Sequence, residues 1–185
     1  MVERVVGVFG GVDILVNNAG FSGHTEVIHT TDEEWHRVVN VDLMGPFYAS
    51  RAVARNMIKR GKGGRIIGIS SGAGHSGRPG SASYCASKAG LILFSKTLAI
   101  ELASYGINVN TVSVGYVEVG KYDTPELTPI KKDILPRILL RRPGRPEDIA
   151  SIVTFLASEF ANWITGADFR VDGGESAGRI PVPLS

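Results

Sequence analysis

The run Asp13-Ile14-Leu15-Val16-Asn17-Asn18-Ala19-Gly20 constrains this chain more than any other segment. Three adjacent aliphatic residues without polar alternation do not suit a sheet with one wet face. They read as a strand buried on both faces, as in parallel sheets, closing on a turn at Ala19-Gly20. Similar runs recur at Arg65 to Ser70, at Ile107 to Val114 and, more briefly, at Phe169 to Val171. Helical patterns separate them. Val2 to Phe9 places Val and Phe at helical intervals and stops at Gly10-Gly11. Thr31-Asp32-Glu33-Glu34 has capping-box spacing and acids in the first turn. The helix it opens is expected to reach about Arg60, with a kink at Gly45-Pro46. A Gly/Ser-rich loop, Ser71 to Ser81, leads into a helix from Ser83 to Tyr105 that Gly106 ends. Residues 115 to 142 are broken by Pro125, Pro129 and Pro136, and Pro146 opens a last helix to about Ser158. The order α-β-α-β-α-β-(variable)-α-β predicts an α/β fold: a parallel sheet of about four strands with helices on both faces.

The 185 residues suit one domain, 1–185, with one sizeable core. A formal net charge of +2, with Arg141, Arg142 and Arg145 as the only tight basic cluster, gives no footprint for nucleic acid. The single cysteine, Cys85, excludes an internal disulfide framework, fits a reducing compartment and reads as a packed thiol. No apolar run reaches membrane-spanning length, and Met1-Val2-Glu3-Arg4 lacks a signal-peptide pattern, so the expectation is a cytoplasmic protein with no membrane partner. His24, His29, His36 and His75 lack metal-ligand spacing, and no metal is expected. Apolar residues occupy more than one face of the helix carrying Leu91-Ile92-Leu93-Phe94 and of the long helix after Thr31. These are candidate subunit contacts, and a homodimer or homotetramer is expected.

Chemistry concentrates in Ser83-Tyr84-Cys85-Ala86-Ser87-Lys88-Ala89-Gly90. Within it, Tyr84-x-x-x-Lys88 puts a phenol and an ammonium on one helix face, one turn apart. An ammonium beside a phenol favours its ionised form, which makes the pair usable in proton transfer.

Several signals in order, spanning about Phe9 to Gly174, resemble the short-chain dehydrogenase/reductase family. They are Asn17-Asn18-Ala19-Gly20, Asn40, Ile69-Ser70-Ser71, Tyr84-x-x-x-Lys88, Gly115, Gly144-Arg145-Pro146-Glu147, Ile164-Thr165-Gly166 and Val171-Asp172-Gly173-Gly174. The later signals look most like 3-oxoacyl-thioester reductases and small sugar or alcohol dehydrogenases. The resemblance implies a Rossmann-like doubly wound sheet holding family strands 4 to 7. It implies NAD or NADP as cofactor and hydride transfer to or from a small-molecule carbonyl or alcohol substrate. As catalytic residues it implies Ser71 on the reacting oxygen, Tyr84 as general acid/base, Lys88 assisting Tyr84 and holding the nicotinamide ribose, and Asn40 fixing a relay water. Asn18, Ala19, Gly20, Tyr84, Lys88, Gly115 and Val117 are implied at the cofactor.

Two departures stand out. The family's glycine-rich strand-to-helix turn, which cradles the cofactor pyrophosphate, has no counterpart before Asp13. Valines stand at 114 and 119, where the resemblance implies a proline and a threonine. The expectation is therefore an N-terminally truncated Rossmann-type domain with an unpaired edge at the Asp13–Asn18 strand and Leu15 and Val16 partly exposed. Three accounts follow: a piece of an ordinary reductase, an inactive oligomerising or binding remnant, or a binder of a smaller ligand. Substrate choice would fall to about Tyr116 to Arg142, and an acidic group near Arg141, Arg142 and Arg145 is the weaker alternative to a solvated charge run.

Overall fold

A computed structural model describes residues 1–118 and 132–178. Four strands form one parallel sheet in the order β1-β2-β3-β4, with β1 at Ile14–Asn17, β2 at Gly64–Ser71, β3 at Ile107–Val114 and β4 at Asp168–Val171. The described helices are α1 (Val2–Phe9), α2 (Asp32–Val39), α3 (Gly45–Arg60), α4 (Ala82–Leu102) and α5 (Pro146–Ala157).

The pleat sorts the core. Neighbouring residues on a strand point to opposite faces, so Ile66 and Ile67 of β2 serve different layers. Ile66 packs with Ile107 and Val109 of β3 against Val53, Ala54 and Met57 of α3 and Leu98, Ala99 and Leu102 of α4. On the other face Ile67 and Val112 meet Leu156 of α5, with Ile152 and Val153 beside it. Ile66 and Ile67 are 2% and 1% exposed; burial of each is worth about 1.5–3 kcal/mol. The sheet is thus covered on both faces, as the alternating element order predicts.

β1 is not buried on both faces as its apolar run alone suggests; it is the open edge, with Leu15 and Val16 partly exposed, expected from the missing glycine-rich segment. It pairs only with β2 among the described residues. Ile14 is 46% and Val16 38% exposed, while Leu15 packs against the α3–α4 layer. An edge strand keeps only one neighbour, and its apolar side chains are covered accordingly.

The expected single helix from Thr31 to Arg60 is also more articulated. Thr31 caps α2, its hydroxyl oxygen accepting the Glu34 N–H at 3.2 Å. Residues Asn40–Met44 then form a π turn, in which the Gly45 N–H bonds the Asn40 carbonyl, and α3 restarts with Pro46 in its first turn. Pro46 has no N–H to offer the carbonyl four residues back, and a widened turn removes the conflict. On α4, Leu91 and Ile92 are buried, but Leu93 and Ile100 are exposed, as is Tyr48 on α3.

Candidate active site

The loops that leave the carboxyl ends of β1, β2 and β3 converge on a cavity of about 650 Å³. Its walls include Asn18 and Gly20 after β1, Ser71 at the end of β2, Tyr84 and Lys88 of α4, and Val117 beyond β3. In open α/β sheets this is where ligands bind.

Each side chain is held by its own local chemistry. Ser71 pairs with Val114 at the last register position of β2 and β3. Its Oγ accepts the Ala73 N–H at 3.2 Å, which starts a short 3-10 turn and leaves the hydroxyl proton free to donate. Ser70 donates to the Lys88 carbonyl at 3.0 Å, tying α4 to the strand end. A Cβ on Gly74 would lie 3.0 Å from Lys88 main-chain carbon, so the loop can approach the helix this closely only without a side chain. Tyr84 is half-buried on the cavity wall, and Lys88 Nζ lies 5.5 Å from its ring centroid.

Lys88 is nearly sealed from solvent, 4% exposed. Its Nζ donates to the Ile69 carbonyl at 3.0 Å and forms an ion pair with Asp42 Oδ1, also at 3.0 Å. Asp42 is fully buried, and its Oδ2 accepts the Phe21 N–H at 3.0 Å. The resemblance assigns Asn40 to a relay water that links Lys88 to solvent, and Asp42 is not among the residues it implies. In the structure Asn40 is exposed; its N–H donates to the His36 and Arg37 carbonyls and its carbonyl accepts the Gly45 N–H. Two residues along a helical turn point to different sides, so the π turn delivers Asp42, not Asn40, to Lys88. A signal was available: Asp42 is a lone acid between Val41 and Leu43 in an otherwise apolar stretch, and a buried carboxylate needs a partner.

Of the residues expected at a cofactor, Asn18, Gly20, Tyr84, Lys88 and Val117 line this cavity. Ala19 belongs to the same turn but does not line it. Asn17 fixes that turn by donating from Nδ2 to Ser50 Oγ at 2.9 Å. Gly20 is confined: a Cβ there would stand 2.9 Å from Asp42 Oδ1 and 3.3 Å from Lys88 Nζ. Gly115 lies instead in an adjoining cavity of about 930 Å³, which shares Ser71 and Val114 with the first. There its missing side chain makes room for Asp172, whose Cβ would be 2.6 Å from a Cβ on Gly115. Val119 lies outside the described residues, as does part of the Tyr116–Arg142 stretch.

The arginine cluster resolves into structural pairs. Arg142 donates both guanidinium ends to Asp148, at 2.7 and 3.0 Å, and Asp148 also accepts the Arg145 N–H at the start of α5. These bonds hold the Asp148 carboxyl down at about 2, the Arg142 bond first, and raise the Arg142 guanidinium above its usual range. His75, on the loop after β2, joins through Nε2 to Asp168 Oδ2 at 2.9 Å and to Ser113 at 3.1 Å. Among the described residues no group of three His, Cys, Asp or Glu side chains is placed to hold a metal ion, and no helix is long and apolar enough to cross a membrane.

Residues 1–176 match the family described as Enoyl-(Acyl carrier protein) reductase. The chain is 42% identical over 175 residues to the 3-oxoacyl-(acyl-carrier-protein) reductase of Haemophilus influenzae, covering 94% of itself and 71% of that protein. Among solved structures, it resembles acetoin dehydrogenase from Salmonella typhimurium with a TM-score of 0.87 and 36% identity, over 97% of this chain and 70% of the other. A protein from Agrobacterium tumefaciens assigned as a 2-deoxy-d-gluconate 3-dehydrogenase, solved with NADP bound, gives a TM-score of 0.86 at 36% identity, over 90% and 68%.

Proposed function

Since the chain belongs to the short-chain dehydrogenase/reductase family, we propose that it is a nicotinamide-dependent oxidoreductase acting on a carbonyl/hydroxyl pair, with Tyr84 as general acid/base. The observation that carries this reading is the meeting of Ser71, Tyr84 and Lys88 on one cavity wall at the carboxyl ends of the strands. The named relatives act on different molecules, a thioester-bound 3-oxo group and acetoin among them, and what these share is that pair.

The cavity suits the nicotinamide and ribose end of the cofactor. Lys88 Nζ keeps one N–H beyond those given to Asp42 and Ile69, and Gly20 and Val117 bring main chain to the wall. A bound nicotinamide would supply the hydride, which no side chain can. The chain's own groups manage charge and protons. Ser71 donates its free hydroxyl proton to the substrate oxygen, where negative charge develops on reduction. Tyr84 delivers the proton that completes the alcohol, and takes it back in the oxidation. The Lys88 ammonium faces the phenolate this leaves, and Asp42 fixes that ammonium in place. The Thr-Gly-x-x-x-Gly-x-Gly pattern does not occur in residues 1–185, and the assay is run at millimolar cofactor.

The test is reduction of methyl acetoacetate with NADH and with NADPH, followed by nicotinamide absorbance. Tyr84→Phe is expected to lower the rate about 10²- to 10⁴-fold; an unaltered rate would refute the role. A second reading has its own support in the open β1 edge with Ile14 exposed: an associating protein without turnover. It predicts that wild type and Tyr84→Phe behave alike in every assay while both form stable oligomers.

A further inference from the structure

The second cavity, which shares Ser71 and Val114 with the first, is lined by three arginines, Arg78, Arg137 and Arg170, and three carboxylates, Asp133, Asp172 and Glu175, but these do not pair one to one. Arg137 is answered, by Asp133 at 2.9 Å and Glu175 at 3.9 Å. Asp172 is occupied as well: burial opposes its ionisation, but the Ser176 hydroxyl, the N–H groups of Gly174 and Ser176 and the nearby Arg170 outweigh it and hold the carboxyl below its usual range. Arg78 is different. It is exposed, and among the described residues no carboxylate lies within ion-pair distance of it, but two contacts hold it at the cavity wall. Its Nε donates to Ser81 Oγ at 3.1 Å, and Ser81, 1% exposed, in turn donates to the Gly23 carbonyl at 3.3 Å. Its guanidinium carbon lies 5.4 Å from the Tyr84 ring centroid. Serine and phenol therefore locate the group, while among the described residues the four N–H bonds of its fork meet no protein acceptor at the wall of a cavity that also contains Ser71.

A fixed, open guanidinium fork is a receptor for an oxyanion, which it grips through two parallel hydrogen bonds. Resting on the oxidoreductase reading, we infer that Arg78 receives a carboxylate or phosphate carried by the substrate a few bonds from the reacting carbonyl. Tyr84 lies beneath the guanidinium, so an anion bound by Arg78 leaves its nearby carbonyl within the reach of Tyr84 and Ser71. Arg78, and not the cluster at Arg141 to Arg145 whose Arg142 fork is filled by Asp148, is then the residue that selects the substrate class.

Two pairs of probes isolate the charge: acetoacetate against methyl acetoacetate, and dihydroxyacetone phosphate against dihydroxyacetone. Calorimetric titration of the whole chain at low ionic strength, without cofactor, reads binding apart from turnover. One anion of the two pairs is expected to bind about 10- to 100-fold tighter than its neutral partner, and the pair that shows it names the anion. Arg78→Met should abolish the preference, and Arg78→Lys, which keeps the charge and loses the fork, should retain only part of it. Equal binding within both pairs, no binding of either anion, or a full preference surviving in Arg78→Met would overturn the inference. Anion-selective binding without any turnover would instead overturn the oxidoreductase reading alone, and turnover of the ester with no anion preference would overturn this inference alone.

Discussion

Replacing Asp42 by Ala strips the buried Lys88 ammonium of its counter-charge. The two groups are 3.0 Å apart, with side-chain exposures of 4% for Lys88 and 0% for Asp42. At that distance Coulomb attraction is about 5–6 kcal/mol for an effective dielectric near ~20. Desolvation opposes most of it while both partners are present, but a lone buried ion keeps the penalty and loses the attraction. Asp42→Ala should therefore destabilise the fold by about 3–5 kcal/mol, which in a domain of this size lowers Tm by roughly 6–20 °C. Asp42→Asn leaves a single amide oxygen for Lys88 and the Phe21 N–H to compete for and removes the counter-charge, so it should also destabilise, by about 2–4 kcal/mol. The double variant Asp42→Ala/Lys88→Met removes both charges, and its loss should fall short of the summed single losses by about 2–3 kcal/mol. Urea unfolding followed by circular dichroism measures the wild type, these three variants and the single variant Lys88→Met that completes the cycle, with a constant m-value as the check that only stability has moved. An Asp42→Ala cost below about 1 kcal/mol, or strictly additive single losses, would refute the claim that this pair is a coupled, desolvated unit.

Gly20→Ala would push a methyl to 2.9 Å from Asp42 Oδ1, and a loss of about 1–3 kcal/mol in the same unfolding assay is expected. Asp148 titrates at about 2 when folded, below an ordinary carboxylate near ~3.9; its contribution is whole above about pH 4 and disappears as pH falls toward 2, so Asp148→Asn should flatten the wild-type pH dependence of stability in that window. Because the group is exposed the effect should shrink in high salt, and an identical slope in both proteins would count against the pairing with Arg142. Ile14→Lys places a charge on the open β1 edge and should reduce light scattering in concentrated solution, with stability shifted by no more than about 0.5 kcal/mol.

Much of the fold was legible in the chain because its signals are local. Thr31 and Glu34 lie three residues apart, and the capping bond forms as their spacing predicts. Tyr84 and Lys88 share a helix face by periodicity alone, whatever packs around them. The alternation of apolar runs with helices likewise carries the parallel order, since a crossover connection leaves few other arrangements. Asp42, not Asn40, meets the Lys88 ammonium because the turn between them is π-helical, a geometry that goes with Pro46 and with packing against α4 and is invisible to a count of 3.6 residues per turn.

The residues alone determined which groups this protein brings to its site: a phenol and an ammonium on one helix, a serine at a strand end, and a parallel sheet to hold them. Tertiary structure decided their company. It buried Asp42 against Lys88, closed the Arg142 fork with Asp148 and set Arg78, without a carboxylate partner among the described residues, over Tyr84. Periodicity acts over a few residues and can be read along the chain. Desolvation and ion pairing act between segments far apart in it, and exist only once the sheet has brought those segments within a few ångströms of each other.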